Sequence, residues 1–288
     1  MPPAVSAVLV EAFRHDGFAV VPGLLSDAEL DRFTPAVDRA VAERTAHDRR
    51  RLDEKSRYEQ SFLQCINLWE DYPELRALTF HPRIAECAAR LIGAACIRLW
   101  HDQALYKEPG GRETDAHQDH PYWPIEQTDA LTAWIPLDGS TREAGCMGYV
   151  PGSHRAGLRR FVNIFIGQPE DVLARPELAG AKPVFVEVPR GSVAYHHGLT
   201  VHLAHPNRSP RVRRVHTAIF FRDGSTRARI GIHQSVDRAG IAPGEAIRSD
   251  ATPIAWPREP GDYPPAPTSR IPAGSLGSHV WPPAAIAR

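Results

Sequence analysis

The triplet His117-Gln118-Asp119, inside DAHQDHPYW, is where this chain most plainly offers chemistry. If the three residues are extended, strand alternation puts 117 and 119 on one face, so that an imidazole and a carboxylate converge on one ion. Taken alone the pattern is weak, and most of the 14 histidines read as surface or hydrogen-bonded core residues. A later stretch, YHHGLTVHLAHPNRSPRVRRVHTAIFF, adds weight. It carries His196, His197, His202 and His205 ahead of a polar turn, then Arg211, Arg213 and Arg214 at the head of a strand. Two imidazoles and one carboxylate that leave three adjacent coordination positions open form the facial triad of non-haem Fe(II) oxygenases. The open face has to admit a chelating cosubstrate together with O2. An arginine on a neighbouring strand then has a task, because its planar, permanently charged fork suits the far carboxylate of a 2-oxo diacid.

Such groups need strands to position them. From about residue 95, the runs IRLWHDQALYK, ALTAWIPLD, CMGYVP, KPVFVEVP, SVAYHH, LTVHLA and RRVHTAIFF are rich in β-branched and aromatic residues and are parted by Gly, Pro, Asp and Asn turns. Few helix-length patterns separate them, which predicts an antiparallel sandwich or barrel rather than a βαβ sheet. The first third predicts helices. One runs over residues 5–15 and is closed by Gly17, with FAVV as a strand behind it. A capping box of Ser26 and Glu29 opens a longer helix to about Arg49, and residues 81–93 form a third. The charged run HDRRRLDEKSR between them reads as a solvated helix end and loop. Beyond about residue 224 the chain turns Pro-rich and weakly periodic, which reads as an irregular extension partly draped over the core.

The segment HQDHPYWPIEQTDALTAWIPLDGSTREAGCMGYVPGSHR, followed by the stretch holding His202, Asn207 and Arg213, resembles the phytanoyl-CoA dioxygenase (PhyH) family of Fe(II)/2-oxoglutarate-dependent oxygenases, over roughly residues 10 to 223. The resemblance implies a mainly β fold with flanking α: a double-stranded β-helix (jelly roll, cupin-like) core with N-terminal helices packed on one sheet. It implies one oxygenase domain over 1–224, with a helical layer at 1–94 and the core at 95–224, followed by a Pro-rich C-terminal extension at 225–288. His117 and Asp119 become the proximal metal ligands and His202 the distal one. Of the rivals His196, His197 and His205, none has the asparagine five residues on and the arginine eleven on that His202 has. Arg213 is then the residue for the far carboxylate of 2-oxoglutarate; Arg211 would share its face, and Arg214 would point the other way. By the same likeness Trp134 packs against 2-oxoglutarate and Gln103 hydrogen-bonds it. His120, Tyr122 and Trp123 leave the metal on the same loop and read as substrate-pocket residues. Where some family members carry a serine two positions after the distal histidine, this chain has Ala204, which removes one hydroxyl contact to the cosubstrate. PGSH at 151–154 reads as a structural turn, with His154 holding the loop.

The implied cofactors are Fe(II), 2-oxoglutarate and O2. The implied reaction is oxidation, foremost hydroxylation, of an unactivated C–H bond in a small molecule such as a biosynthetic intermediate, with release of succinate and CO2. Because Asp119 fills the carboxylate position, no coordination site is left for a halide; desaturation, epoxidation and ring formation need only the same residues. Lys plus Arg and Asp plus Glu are 34 each. That balance disfavours a nucleic-acid partner and weighs against a CoA polyanion, although Arg155, Arg159, Arg160 and Arg208 would line a basic entrance. Without a long uninterrupted apolar run no membrane span is expected. The opening residues read as an amphipathic helix rather than a leader, and the four cysteines form no CxxC pair, so a cytoplasmic location is expected. Two other classes remain open at this level: a cupin-like Zn or Mn enzyme that is not oxidative, and a non-catalytic binding module.

Overall fold

Residues 6–157, 164 and 171–269 are described by a computed structural model. Local capping starts its helical layer. The Ser6 hydroxyl accepts from the Leu9 amide at 3.2 Å and opens α1 (Ala7–Asp16). Gly17 closes that helix at φ 81°, a left-handed conformation that costs a residue without Cβ nothing. The expected capping box of Ser26 and Glu29 heads α2 (Asp27–Thr45). This helix stops at Thr45, short of Arg49, and beyond it Arg50 pairs with Asp48 and Glu59. The short α3 (Leu68–Asp71) and α4 (Arg76–Thr79) precede α5 (Pro82–Leu91), which has Pro82 in its first turn, where a missing N–H costs no hydrogen bond.

The strands are β1 (Phe18–Val21), β2 (Leu63–Ile66), β3 (Ile97–Lys107), β4 (Thr114–His117), β5 (Ala130–Pro136), β6 (Met147–Tyr149), β7 (Val184–Val186), β8 (Val193–His197), β9 (His202–Ala204), β10 (Arg213–Arg222) and β11 (Ile254–Trp256). A seven-stranded sheet runs β1-β8-β5-β10-β3-β11, with β2 also paired to β3, and a four-stranded sheet runs β4-β9-β6-β7. Every one of these pairings is antiparallel.

Alternation along the strands explains what each face meets. On the outer face of the large sheet Ala218, Phe220, Ala133 and Ile135 pack with Leu30, Val37 and Ile84 of the helices. On the inner face Trp134, Ala194 and Val215 pack with Met147, Tyr149 and Ala204 of the small sheet. The fold is therefore the expected jelly roll with helices on one sheet, and each large apolar side chain buried there contributes about 1.5–3 kcal/mol. The chain beyond residue 224 does more than drape. Its described part supplies β11 at the edge of β3, and in and after the short α6 (Gln234–Asp237) it buries Val236, Ile241 and Ile247 against Trp100, Trp123 and Phe221. Residues 270–288 lie outside the described residues. No described helix is long and apolar enough to cross a membrane.

Candidate active site

Strand pairing, not sequence proximity, brings the metal-binding candidates together. β4 and β9 pair with His117 directly opposite His202, and the two rings lie 4.2 Å apart, centre to centre. Asp119 does not continue β4. It adopts φ −77°, ψ −40° at the head of the tight turn His120–Tyr122. The expectation of an extended 117–119 is thus corrected: a turn of the backbone, rather than the strand pleat, swings the carboxylate back. Its Oδ1 reaches 3.7 Å from His117 Nε2 and 3.5 Å from His202 Nε2. Ligand atoms of all three residues lie within 4.8 Å of one another.

The hydrogen bonds behind these residues fix what each presents. His117 Nδ1 meets the Asp115 carbonyl at 2.8 Å, and His202 Nδ1 meets the Thr200 carbonyl at 3.0 Å. A carbonyl only accepts, so each Nδ1 carries the proton and each Nε2 turns a lone pair to the site. Burial pushes both imidazoles down to about 4, which keeps them neutral near pH 7. Burial opposes ionisation of Asp119, yet His202, His196 and His117 around it outweigh that penalty and hold its carboxyl well below the usual range. Neutral imidazoles with one carboxylate are the donor set that a non-haem iron takes.

Arg213 opens β10 and is 4% exposed. Its guanidinium carbon lies 5.3 Å from the centre of the Trp134 ring, and it donates to the Gly145 carbonyl. Among the described residues no carboxylate pairs with it. Burial lowers it to about 10, so it stays charged at neutral pH. Arg213 Nε, Trp134 Nε1, the Tyr149 hydroxyl and the Thr217 hydroxyl are buried without a partner. An unpaired buried cation costs several kcal/mol, so this cluster fits a ligand with a carboxylate. Ala204, in the same apolar cluster, offers only a methyl group.

The other expected site residues fall as follows. Gln103 pairs in register with Thr217, and its amide oxygen accepts from Gln64, whose own oxygen accepts from the Tyr58 hydroxyl at 3.0 Å. With its oxygen so engaged, the Gln103 amide nitrogen is the end of that group left to donate. The Tyr122 ring lies 6.2 Å from that of His117. His120 and Trp123 are buried behind it, perpendicular to each other and packed beside Gly198, where an added Cβ would meet Trp123 at 2.8 Å. In the PGSH turn the His154 ring nitrogen bonds the Arg14 carbonyl at 3.0 Å and Ser153 ties residue 150 to Val201, a structural role as expected. Arg155 and Arg208 are exposed, and Arg159 and Arg160 lie outside the described residues.

Residues missed by the sequence reading also face this space. Thr132 donates to Asp119 Oδ2 at 2.8 Å, and His196, weighed above only as a rival ligand, approaches the same oxygen at 3.0 Å. Their signal was alternation: Thr132 stands two residues from Trp134 and shares its face. His101, two residues before Gln103, is buried and lowered by that burial to about 4.

A family model described as phytanoyl-CoA dioxygenase (PhyH) matches residues 13–215. A phytanoyl-CoA dioxygenase domain-containing protein 1 homolog of Caenorhabditis elegans is 24% identical over 262 residues, which span 73% of this chain and 88% of that protein. Among solved structures, the non-heme alpha ketoglutarate dependent carbocyclase SnoK from nogalamycin biosynthesis superposes with a TM-score of 0.73 at 30% identity, covering 86% of this chain and 96% of its own. The epimerase SnoN, in complex with Fe3+, alpha ketoglutarate and nogalamycin RO, gives 0.72 at 26% identity, covering 86% and 97%. With the matched model spanning most of the chain, its fold and its clustered histidines and aspartate, the protein belongs to the phytanoyl-CoA dioxygenase (PhyH) family.

Proposed function

We propose that the chain is a 2-oxoglutarate-dependent non-haem iron dioxygenase that hydroxylates an unactivated C–H bond of a free small molecule. The observation that carries this reading is the pairing of a three-residue ligand set, within 4.8 Å, with a buried guanidinium that has no carboxylate partner among the described residues. His117 Nε2, Asp119 Oδ1 and His202 Nε2 would hold Fe(II). Arg213 would bind the far carboxylate of 2-oxoglutarate, with Trp134 along it and the Gln103 amide donating to it. When bound, iron, 2-oxoglutarate and O2 supply the oxidising power for C–H cleavage, with succinate and CO2 as co-products. The protein's share is orientation and exclusion of water. Carbonyls of residues 115 and 200 keep the ligand histidines in the metal-binding tautomer, and Trp134 and Tyr149 wall Arg213 off from solvent, which strengthens its pull on an anion.

Ring formation or epimerisation is the second reading, favoured because the relatives at 30% and 26% identity are a carbocyclase and an epimerase. A non-oxidative Zn or Mn enzyme would leave Arg213 without a role. The oxygenase unit is read as residues 1–224 and the remainder as an extension whose described part closes over Trp100 and Trp123. Free cysteines at 65, 87, 96 and 146 accord with a cytoplasmic setting. The test is anaerobic addition of Fe(II) and 2-oxoglutarate, which should produce a weak visible charge-transfer band; no band, or one that survives loss of both Asp119 and His202, overturns the reading. Substrate-stimulated succinate release from a panel of small molecules, polycyclic compounds included, then identifies the substrate.

A further inference from the structure

We propose that His196, together with Thr132, is a positioning residue that makes Asp119 a one-oxygen ligand, reserving the third open coordination position. The proposal rests on the metal reading above. Thr132 in β5 and His196 in β8 stand opposite each other in register, so both side chains reach the inner face of the large sheet. Both end on the same atom, Asp119 Oδ2, at 2.8 Å and 3.0 Å. Oδ1 is the oxygen turned toward His117 and His202. With two donors on Oδ2, its lone pairs are engaged, and chelation of a metal by both oxygens would break those bonds.

The tautomer separates His196 from the ligands around it. Its ring centre is 4.4 Å from that of His202, near enough to be mistaken for a fourth ligand. Yet its Nε2 faces a carboxylate oxygen, which only accepts, so Nε2 carries the proton and has no lone pair to give. The ligand histidines are protonated at the other nitrogen, on backbone carbonyls. His196 Nδ1 is buried without a partner among the described residues, in a side chain 2% exposed. The ring thus makes one polar contact, to Asp119, and leaves its second nitrogen unsatisfied, an arrangement a core built for packing alone would not favour. Two imidazoles and one carboxylate oxygen leave three positions of an octahedral ion open; a chelating carboxylate would leave two, too few for a chelating cosubstrate and O2 together.

Co(II) binding to the full chain, followed by its visible absorption, tests this without turnover. His196→Phe keeps the ring and removes the donor; its Co(II) affinity should fall by about 10–100-fold, as for other groups that orient a metal ligand. Its spectrum should shift as Oδ2 is freed to bind, and His196→Gln, whose amide can donate, should restore most of both. Wild-type affinity and spectrum in a folded His196→Phe protein would overturn the proposal. If that variant does not fold, Thr132→Val decides: weaker binding with an altered spectrum supports the clamp, and unchanged binding overturns it. Asp119→Ala keeps the two failures apart, since wild-type Co(II) binding in that variant would mean that the metal reading itself is wrong.

Discussion

An aspartate, a threonine and a histidine meet on each side of the large sheet, and the two clusters behave in opposite ways. On the outer side, under the helices, Thr79 donates to Asp102 Oδ2 at 2.8 Å, the Trp69 amide donates to it at 3.0 Å, and His216 Nε2 lies 3.1 Å from the Thr79 hydroxyl. The Asp102 and His216 side chains are both fully buried. Burial raises Asp102 to about 7 and lowers His216 to about 3, so this cluster sheds charge. On the inner side Thr132 and His196 hold Asp119 through nearly the same distances, but its side chain is 20% exposed and its second oxygen points at two more imidazoles. That carboxylate keeps its charge. Composition and hydrogen-bond length are shared, so neither makes a metal site. What does is a second carboxylate oxygen left over, aimed at lone pairs, with room for an ion.

The largest effect should come from removing a ligand on the inner side. Asp119→Ala or His202→Ala is expected to reduce succinate release and the Fe(II)/2-oxoglutarate band by more than about 100-fold, beyond the ~10–100-fold typical of outer residues. Near-normal activity in either would erase the distinction between the clusters. Next comes Arg213→Leu, which removes a charge-assisted contact of about 1.5–3 kcal/mol. The 2-oxoglutarate affinity should weaken roughly 10–100-fold while Co(II) affinity is unchanged; isothermal titration of each ligand separates the two.

The mirror experiment addresses the outer side. Asp102→Ala strands the Trp69 amide and leaves the Thr79 hydroxyl only His216, so urea unfolding should show a loss of roughly 1–3 kcal/mol for the unsatisfied amide, with metal affinity unaltered. A drop in metal affinity would show the clusters to be coupled through the sheet. The last effect is a pH dependence. With its folded value raised to about 7, Asp102 contributes stability that is fully present below about 4 and is lost as pH rises through 7. Asp102→Asn is neutral throughout, so its stability relative to wild type should improve across that window, by at most roughly 1.4 kcal/mol per pH unit. A flat difference between the two unfolding curves would show that Asp102 is ionised at all these pH values.

Much of this was legible in the linear chain. Alternating β-branched and aromatic runs mark the strands because a half-buried pleat demands them, and the caps at Ser26 and Gly17 announce helix ends because orphan amides and carbonyls need partners. His202 stood out by its spacing to Asn207 and Arg213. Asn207 proves to be the pin of that turn: its side-chain amide donates to the carbonyls of Lys107 at 2.9 Å and Arg211 at 2.7 Å. The Pro-rich stretch was harder, since a three-residue edge strand leaves almost no periodicity to read.

Residue types, alternation and short-range spacing determined the fold class and the pool of ligand candidates, because those depend on a few consecutive backbone torsions. Only the tertiary structure decided that Asp119 turns back rather than running on, and that His196 donates to one of its oxygens while His117 and His202 face the other. Each depends on a partner brought across the barrel: the Thr132 hydroxyl in β5 and the His196 ring in β8 meet Asp119, which follows β4. No local pattern specifies such a meeting, because the register of strands far apart in sequence sets it.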